Sequence, residues 1–207
     1  MLKVKRIPVG DGLANCYIIQ DGKKALIVDP GAEAGKIKKL ITELSVEPVA
    51  ILLTHTHYDH IGAVDEISET YNLPLYVSPK EKDWLANPSK NLSALLGRPI
   101  TAREANYFFD PDERLKIDGF SFKVLATPGH SPGGVSFVFD QDKFVLSGDA
   151  LFAGGVGRTD LPGSEPEQLI PVIREQLFTL PGNYTVYSGH GLKTTIEKEI
   201  ESNPFFQ

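Results

Sequence analysis

Four apolar, strand-like runs of this chain each break off at a residue that binds metals well. "AILLT" leads into His55, "FKVLATPG" into His130, "FVLSG" into Asp149 and "YTVYSG" into His190. Runs rich in β-branched and aromatic side chains, bounded by glycine or proline, read as strands. Strand ends and the loops beyond them are where a rigid sheet presents functional groups to a shared rim. Four such ends brought to one rim make a metal cage. Gly129, Gly133, Gly148, Gly189 and Gly191 stand beside the candidate donors, where glycine permits tight turns and close backbone approach.

The rest of the chain fits an alternation of strands and helices. "CYIIQ", "ALIVD", "PLYVS" and "GVSFVFD" read as further strands, and Ile37, Leu40, Ile41 and Leu44 recur at the spacing of an amphipathic helix. Ser164 with Glu167, and Thr194 with Glu197, have capping-box spacing and predict helices over 165–178 and 195–202. The stretch from Pro79 to Asp112 is polar and broken by Asn87-Pro88 and Gly97-Arg98-Pro99, which predicts a short helical excursion over the core. Trp84 and the segment after it read either as a substrate lid or as ordinary surface helix. With 207 residues, 41% of them hydrophobic, and no repeat or linker, the expectation is one domain spanning 1–207. That length buries a core without disulfide help.

Charge and cysteine usage narrow the class. The single cysteine, Cys16, lies among apolar neighbours and reads as a small buried hydrophobe. The first residues lack the uninterrupted apolar stretch of a signal peptide, and no apolar run approaches a membrane span. The expected setting is cytoplasmic, with no membrane partner. A formal charge of −6 argues against nucleic acid as a partner.

All five histidines belong to the same pattern. The run Thr54-His55-Thr56-His57-Tyr58-Asp59-His60 places His55 and His57 on one side of an extended segment, and Asp59 continues the alternation. His60 requires the chain to turn, into a helix expected to start near Ile61. Three histidines and a carboxylate are more than one tetrahedral ion with an open position uses. With His130, Asp149 and His190 the donors number seven, enough for two ions sharing a bridging carboxylate. Paired ions of that kind sit about 3.5–4 Å apart. Imidazole and carboxylate suit zinc first, and also iron or manganese.

"THTHYDHIGA" together with His130, Asp149 and His190 resembles the metallo-β-lactamase superfamily over nearly the whole chain. "GGVGRTDLPG" and the ending "NPFF" look like its short bacterial glyoxalase II branch, the hydroxyacylglutathione hydrolases. The resemblance implies an α/β fold, a four-layer αββα sandwich. It also implies that His55, His57 and His130 hold one ion, that Asp59, His60 and His190 hold the other, and that Asp149 bridges them. Asp29 in "IVDPG" matches the family's buried supporting aspartate. The implied activity is hydrolysis of a small-molecule thioester by a metal-bridging hydroxide, with Asp59 as both ligand and orienting group. Arg158 is the candidate clamp for a carboxylate of the thiol moiety, since guanidinium suits planar anions.

Two features point away from β-lactam hydrolysis: the expected absence of export, and a sole cysteine far upstream of the second-site donors. The chain also stops soon after His190, without the C-terminal helical segment that supplies basic residues for glutathione in full-length glyoxalase II. The alternative is a mononuclear-iron persulfide dioxygenase using His55, His130 and Asp149, the arrangement of two histidines and one carboxylate.

Overall fold

Two six-stranded sheets carry the chain, and each belongs to its own compact unit except for Ile117 and Phe120, where the β7–β8 turn of the second sheet falls in the first unit. The computed structural model describes all of residues 1–207.

The first unit comprises residues 1–109 and 117–120. Its sheet runs in chain order through β1 (Lys3–Val9), β2 (Ala14–Asp21), β3 (Lys24–Val28), β4 (Glu47–Leu52), β5 (Leu75–Val77) and β6 (Tyr107–Phe108). The first three strands pair antiparallel through short turns, whereas β3, β4, β5 and β6 pair parallel. Parallel neighbours need crossover connections. These are α1 (Ala34–Leu44) between β3 and β4, and α2 (Tyr58–Ile61) with α3 (Val64–Tyr71) between β4 and β5. The predicted stripe on α1 is the face that packs: Ile37 and Ile41 are buried, with Leu40 and Leu44 against the same core. Cys16 lies fully buried on β2, and burial pushes its thiol pKa well above the ordinary value, with the nearby Asp29 adding to the rise.

The second unit comprises residues 110–116 and 121–207. Its strands are β7 (Arg114–Ile117), β8 (Phe120–Ala126), β9 (Val135–Phe139), β10 (Phe144–Gly148), β13 (Thr185–Ser188) and β14 (Thr194–Thr195), with a separate ribbon of β11 (Leu151–Phe152) and β12 (Gly155–Val156). The order across the sheet is β14-β13-β10-β9-β8-β7. β10 and β13 pair parallel, and the register shifts between Leu146 and Gly148, immediately before Asp149. The helices are α4 (Pro166–Val172), a π-helical turn over Ile173–Leu177, and α5 (Ile196–Ser202). Leu169, Ile173, Leu177 and Ile196 bury their side chains in one apolar cluster with Val145 and Val186 of the sheet.

The expected α/β class holds, with one sheet and its helices in each unit. Every strand read from the sequence is present. β1 was missed although it is seven residues long, because charged Lys3, Lys5 and Arg6 and Pro8 hide its alternation, and the short edge strands β6, β7, β11, β12 and β14 are additions that two to four residues signal too weakly. Both capping boxes need correction. Ser164 does not cap α4: its hydroxyl donates to the carbonyl of His130 at 2.7 Å. The cap of α5 is Thr195, which accepts from Lys198 N, while Thr194 donates to the buried Glu199. The turn at the histidine run also comes earlier than expected, because α2 starts at Tyr58 rather than near Ile61. No helix is long and apolar enough to cross a membrane.

Candidate metal centre

In the first unit the donors follow the C-terminal end of β4 on one short stretch of backbone. His55, His57 and His60 are 2%, 3% and 0% exposed, three polar rings gathered in the interior of one short segment. The ring of His55 stands 4.8 Å from that of His57 and 4.2 Å from that of His60. His60 Nε2 lies 3.8 Å from Asp59 Oδ2, so the carboxylate and the imidazole converge.

Asp29 orients this group from beneath. Its Oδ1 accepts from Thr54 N at 2.8 Å and its Oδ2 from Thr54 Oγ1 at 2.6 Å. The same Oδ2 lies 3.1 Å from His60 Nδ1, and Thr54 Oγ1 lies 3.2 Å from His55 Nδ1. Because the Thr54 hydroxyl donates to Asp29, it accepts from His55 Nδ1, so that ring presents Nε2 as the coordinating atom, while His60 Nδ1 lies beside the same carboxylate. A partner on the second nitrogen that fixes the tautomer is the usual support of a metal-binding histidine. Asp29 is therefore both the turn residue, at a left-handed φ of 51°, and the support of two imidazoles.

Gly31, two residues on, was invisible as a site residue in the sequence. A Cβ there would stand 1.6 Å from the carbonyl oxygen of Asp59. Only glycine lets the β3–α1 loop pass against the backbone that carries Asp59 and His60. Asp59 also lines a cleft of about 300 Å³ together with Tyr58, Gly12 and Arg98. Burial, then the charges of Asp59 and Asp11, raise the Tyr58 pKa, so its phenol stays protonated.

The second unit gathers its donors from three separate strand ends. Asp149 Oδ2 is 3.5 Å from His130 Nε2 and 3.5 Å from His190 Nε2. Those spacings are too long for good hydrogen bonds. They match two ligands on a common ion, since bonds of about 2.0–2.1 Å at tetrahedral angles separate donor atoms by about 3.4 Å. The donor set and its spacing thus fit a divalent ion. His130 Nδ1 lies 2.8 Å from the carbonyl oxygen of Arg158, which leaves Nε2 toward Asp149. A Cβ on Gly189 would stand 2.0 Å from Asp149 Oδ1, and one on Gly157 would stand 1.9 Å from the Asp149 carbonyl oxygen. Gly189 was noted in the sequence for its turn; what the structure adds is the clearance it gives to the Asp149 carboxylate.

The Arg158 side chain makes a two-pronged bond to Asp160, Nε to Oδ1 at 2.8 Å and a terminal nitrogen to Oδ2 at 2.9 Å. That bond raises the pKa of Arg158 and lowers that of Asp160, and both are well exposed. Arg158 also borders a cavity of about 370 Å³ whose wall includes Leu169, Ile170 and, from the C-terminal "NPFF", Phe205.

Trp84 is buried, with its indole 5.9 Å from the ring of His57, so it is part of the first unit's core rather than of a lid. The polar excursion is anchored inward as well. Asn91, fully buried, accepts at its carbonyl from Tyr58 N and donates from its side chain to the carbonyls of Trp84 and Ile100. Sequence reading also missed Glu81, which is completely buried and accepts from Thr56 N and Thr56 Oγ1 at 2.7 and 2.8 Å. Its sequence neighbours Lys80, Lys82 and Asp83 give it the look of an ordinary solvated acid.

Comparison with known proteins places this geometry. The sequence profile described as the metallo-beta-lactamase superfamily matches residues 9–190. A probable metallo-hydrolase of Bacillus subtilis, YqgX, is 46% identical over 99% of this chain and 97% of its own length. Hydroxyacylglutathione hydrolase GloC of Haemophilus influenzae is 38% identical over 99% of this chain and 98% of its own. Among solved structures, the BLEG-1 B3 metallo-beta-lactamase is 42% identical with a TM-score of 0.96, covering 99% of this chain and 100% of that one. TTHA1623, crystallised in a di-iron-bound form, is 36% identical with a TM-score of 0.88, covering 97% and 99%.

Proposed function

Because the chain belongs to the metallo-β-lactamase superfamily, as a metal-dependent hydrolase, we propose that its substrate is a small-molecule thioester of the S-2-hydroxyacyl thiol type. His55, His57, Asp59, His60, His130, Asp149 and His190 hold two divalent ions in this reading, zinc first and iron or manganese next. The full-length relation to a hydroxyacylglutathione hydrolase supports the substrate class. The observation that carries the metal reading is Asp149, whose one carboxylate oxygen stands 3.5 Å from two imidazole nitrogens. The di-iron form of TTHA1623 keeps iron among the candidates.

Bound ions of this class supply a Lewis acid and bring the pKa of a coordinated water close to neutral. The chain's own groups do the rest. Asp29, through the Thr54 hydroxyl, keeps His55 in the tautomer that offers Nε2, and its carboxylate stands beside His60 Nδ1. Asp59, less buried than His55, His57 and His60 and open to its cleft, orients the attacking water. Arg158 exchanges Asp160 for a carboxylate of the thiol carrier, which offers the same two-pronged geometry at an exposed site. The setting we assign is cytoplasmic, with no nucleic acid or membrane partner.

The test is to count and identify the ions in the purified protein, then to assay thioester hydrolysis beside oxygen uptake with a thiol persulfide and turnover of a β-lactam. Two ions with thioester hydrolysis is the expected result. A single iron with oxygen consumption would replace this reading by the dioxygenase, and β-lactam turnover alone would replace it by the activity named for BLEG-1.

A further inference from the structure

We propose that Glu81 is a positioning residue for His57, and through it for the ion that His55 and His57 share. The inference rests on the dinuclear reading above. A fully buried carboxylate is expensive unless its charge is answered. Glu81 is 0% exposed, and two of its bonds go to a single residue, Thr56, whose backbone N–H and hydroxyl both converge on Oε2. Thr56 lies between the two histidines, itself 0% exposed. The rings of His55 and His57 stand 4.8 Å apart, so holding the residue between them fixes how the pair is presented.

The backbone of Glu81 contributes a second hold. Its carbonyl accepts from Trp84 N at 2.9 Å, and the Trp84 indole lies 5.9 Å from the His57 ring. One residue thus fixes the chain beside His57 and the aromatic plate against it. Pro79 opens the short turn that delivers this carboxylate, and Glu81 N closes it on Ser78 O at 3.0 Å. Asp29 does not duplicate the role: its contacts run to Thr54, His60 and, through the Thr54 hydroxyl, His55. The two buried acids therefore divide the histidine run.

The experiment titrates zinc into the metal-free full-length protein against a competing chelator, for wild type, Glu81→Ala, Glu81→Gln and Thr56→Val. Each is also loaded with cobalt(II) to read the coordination bands, and the melting temperature of each metal-free form is recorded. Removing a support of a metal ligand costs about 10–100-fold in affinity. The expected loss is in that range for one ion in Glu81→Ala, with an altered cobalt spectrum, while the second ion changes far less. Glu81→Gln, whose amide oxygen still accepts both Thr56 bonds, recovers part of the loss. Thr56→Val, which keeps the N–H, loses less than Glu81→Ala and reports on the contact even if Glu81→Ala fails to fold.

Unchanged affinity and spectrum in all variants would overturn the proposal. So would an equal loss at both ions that follows the melting temperature of the metal-free form, because that is a structural role only. A wild type that takes up no ion sinks the dinuclear reading and this one together. Two ions in wild type with normal binding in the variants sinks this one alone.

Discussion

The two units reach the same chemistry by opposite means. The first writes its donors into one heptapeptide, Thr54 to His60, and braces it with two buried carboxylates, Asp29 and Glu81. The second draws His130, Asp149 and His190 from the ends of three strands and holds them with main chain and empty space: a carbonyl on His130, a register shift before Asp149, and glycines beneath it. A local motif needs side-chain anchors, because a contiguous run of polar residues has no sheet register to fix it. Donors on separate strands inherit their positions from the sheet, so what they need is clearance. The first arrangement should fail by loosening, and the second by collision.

The largest effect expected from breaking this contrast lies at Asp149. Asp149→Asn replaces the carboxylate oxygen that faces both His130 and His190, so bound metal and hydrolysis should fall together, by more than the about 10–100-fold that a supporting residue costs. Metal analysis beside an activity assay checks it, and full activity with one ion or none would end the two-ion scheme.

Next in size is the collision test. Gly189→Ala puts a methyl 2.0 Å from Asp149 Oδ1, so the carboxylate must move; metal binding should drop steeply while the fold, measured by thermal melting, loses only the about 1–3 kcal/mol typical of overpacking. Gly31→Ala meets backbone at 1.6 Å instead, and should cost stability first and metal second. If the two substitutions behave alike, the distinction between a braced half and a cleared half is wrong.

These two residues also mark where the sequence stops being readable. The donors were legible because chemistry restricts them to few residue types, and because a strand-like run precedes each group. The sheets were legible because "CYIIQ", "ALIVD" and "FVLSG" are apolar enough to have no other use. Gly31, Gly157 and Glu81 were not, for a common reason: their roles depend on which distant backbone they face. Nothing near Glu81 in the chain announces Thr56, twenty-five residues upstream. Ser164 misled for a related reason, since its local pattern fits a cap while its hydroxyl is taken by His130. Local spacing proposes a hydrogen bond, and the tertiary structure offers a competitor.

Asp29→Asn comes third. The amide keeps the shape but gives up the charge and one of the two acceptors that serve Thr54 and His60, so the first unit's brace is weakened without a cavity. Metal affinity should fall about 10–100-fold, and the loss should be regained at higher metal concentration, as loosening predicts. Gly189→Ala should resist such rescue, because the displaced carboxylate is blocked rather than mobile.

The smallest effect tests the second unit's reliance on main chain. Ser164→Ala removes the hydroxyl that donates to the His130 carbonyl, a side-chain support of the His130 backbone. His130 retains the Arg158 carbonyl at Nδ1, and its backbone is still tied through Gly129, whose N–H donates to Ser131 O and whose carbonyl accepts from Glu165 N. The expected cost is therefore one ordinary hydrogen bond, about 0.5–1.5 kcal/mol in denaturant unfolding, with metal affinity changed by less than about threefold. A loss of metal as large as that of Asp29→Asn would mean that the second half depends on side-chain braces after all.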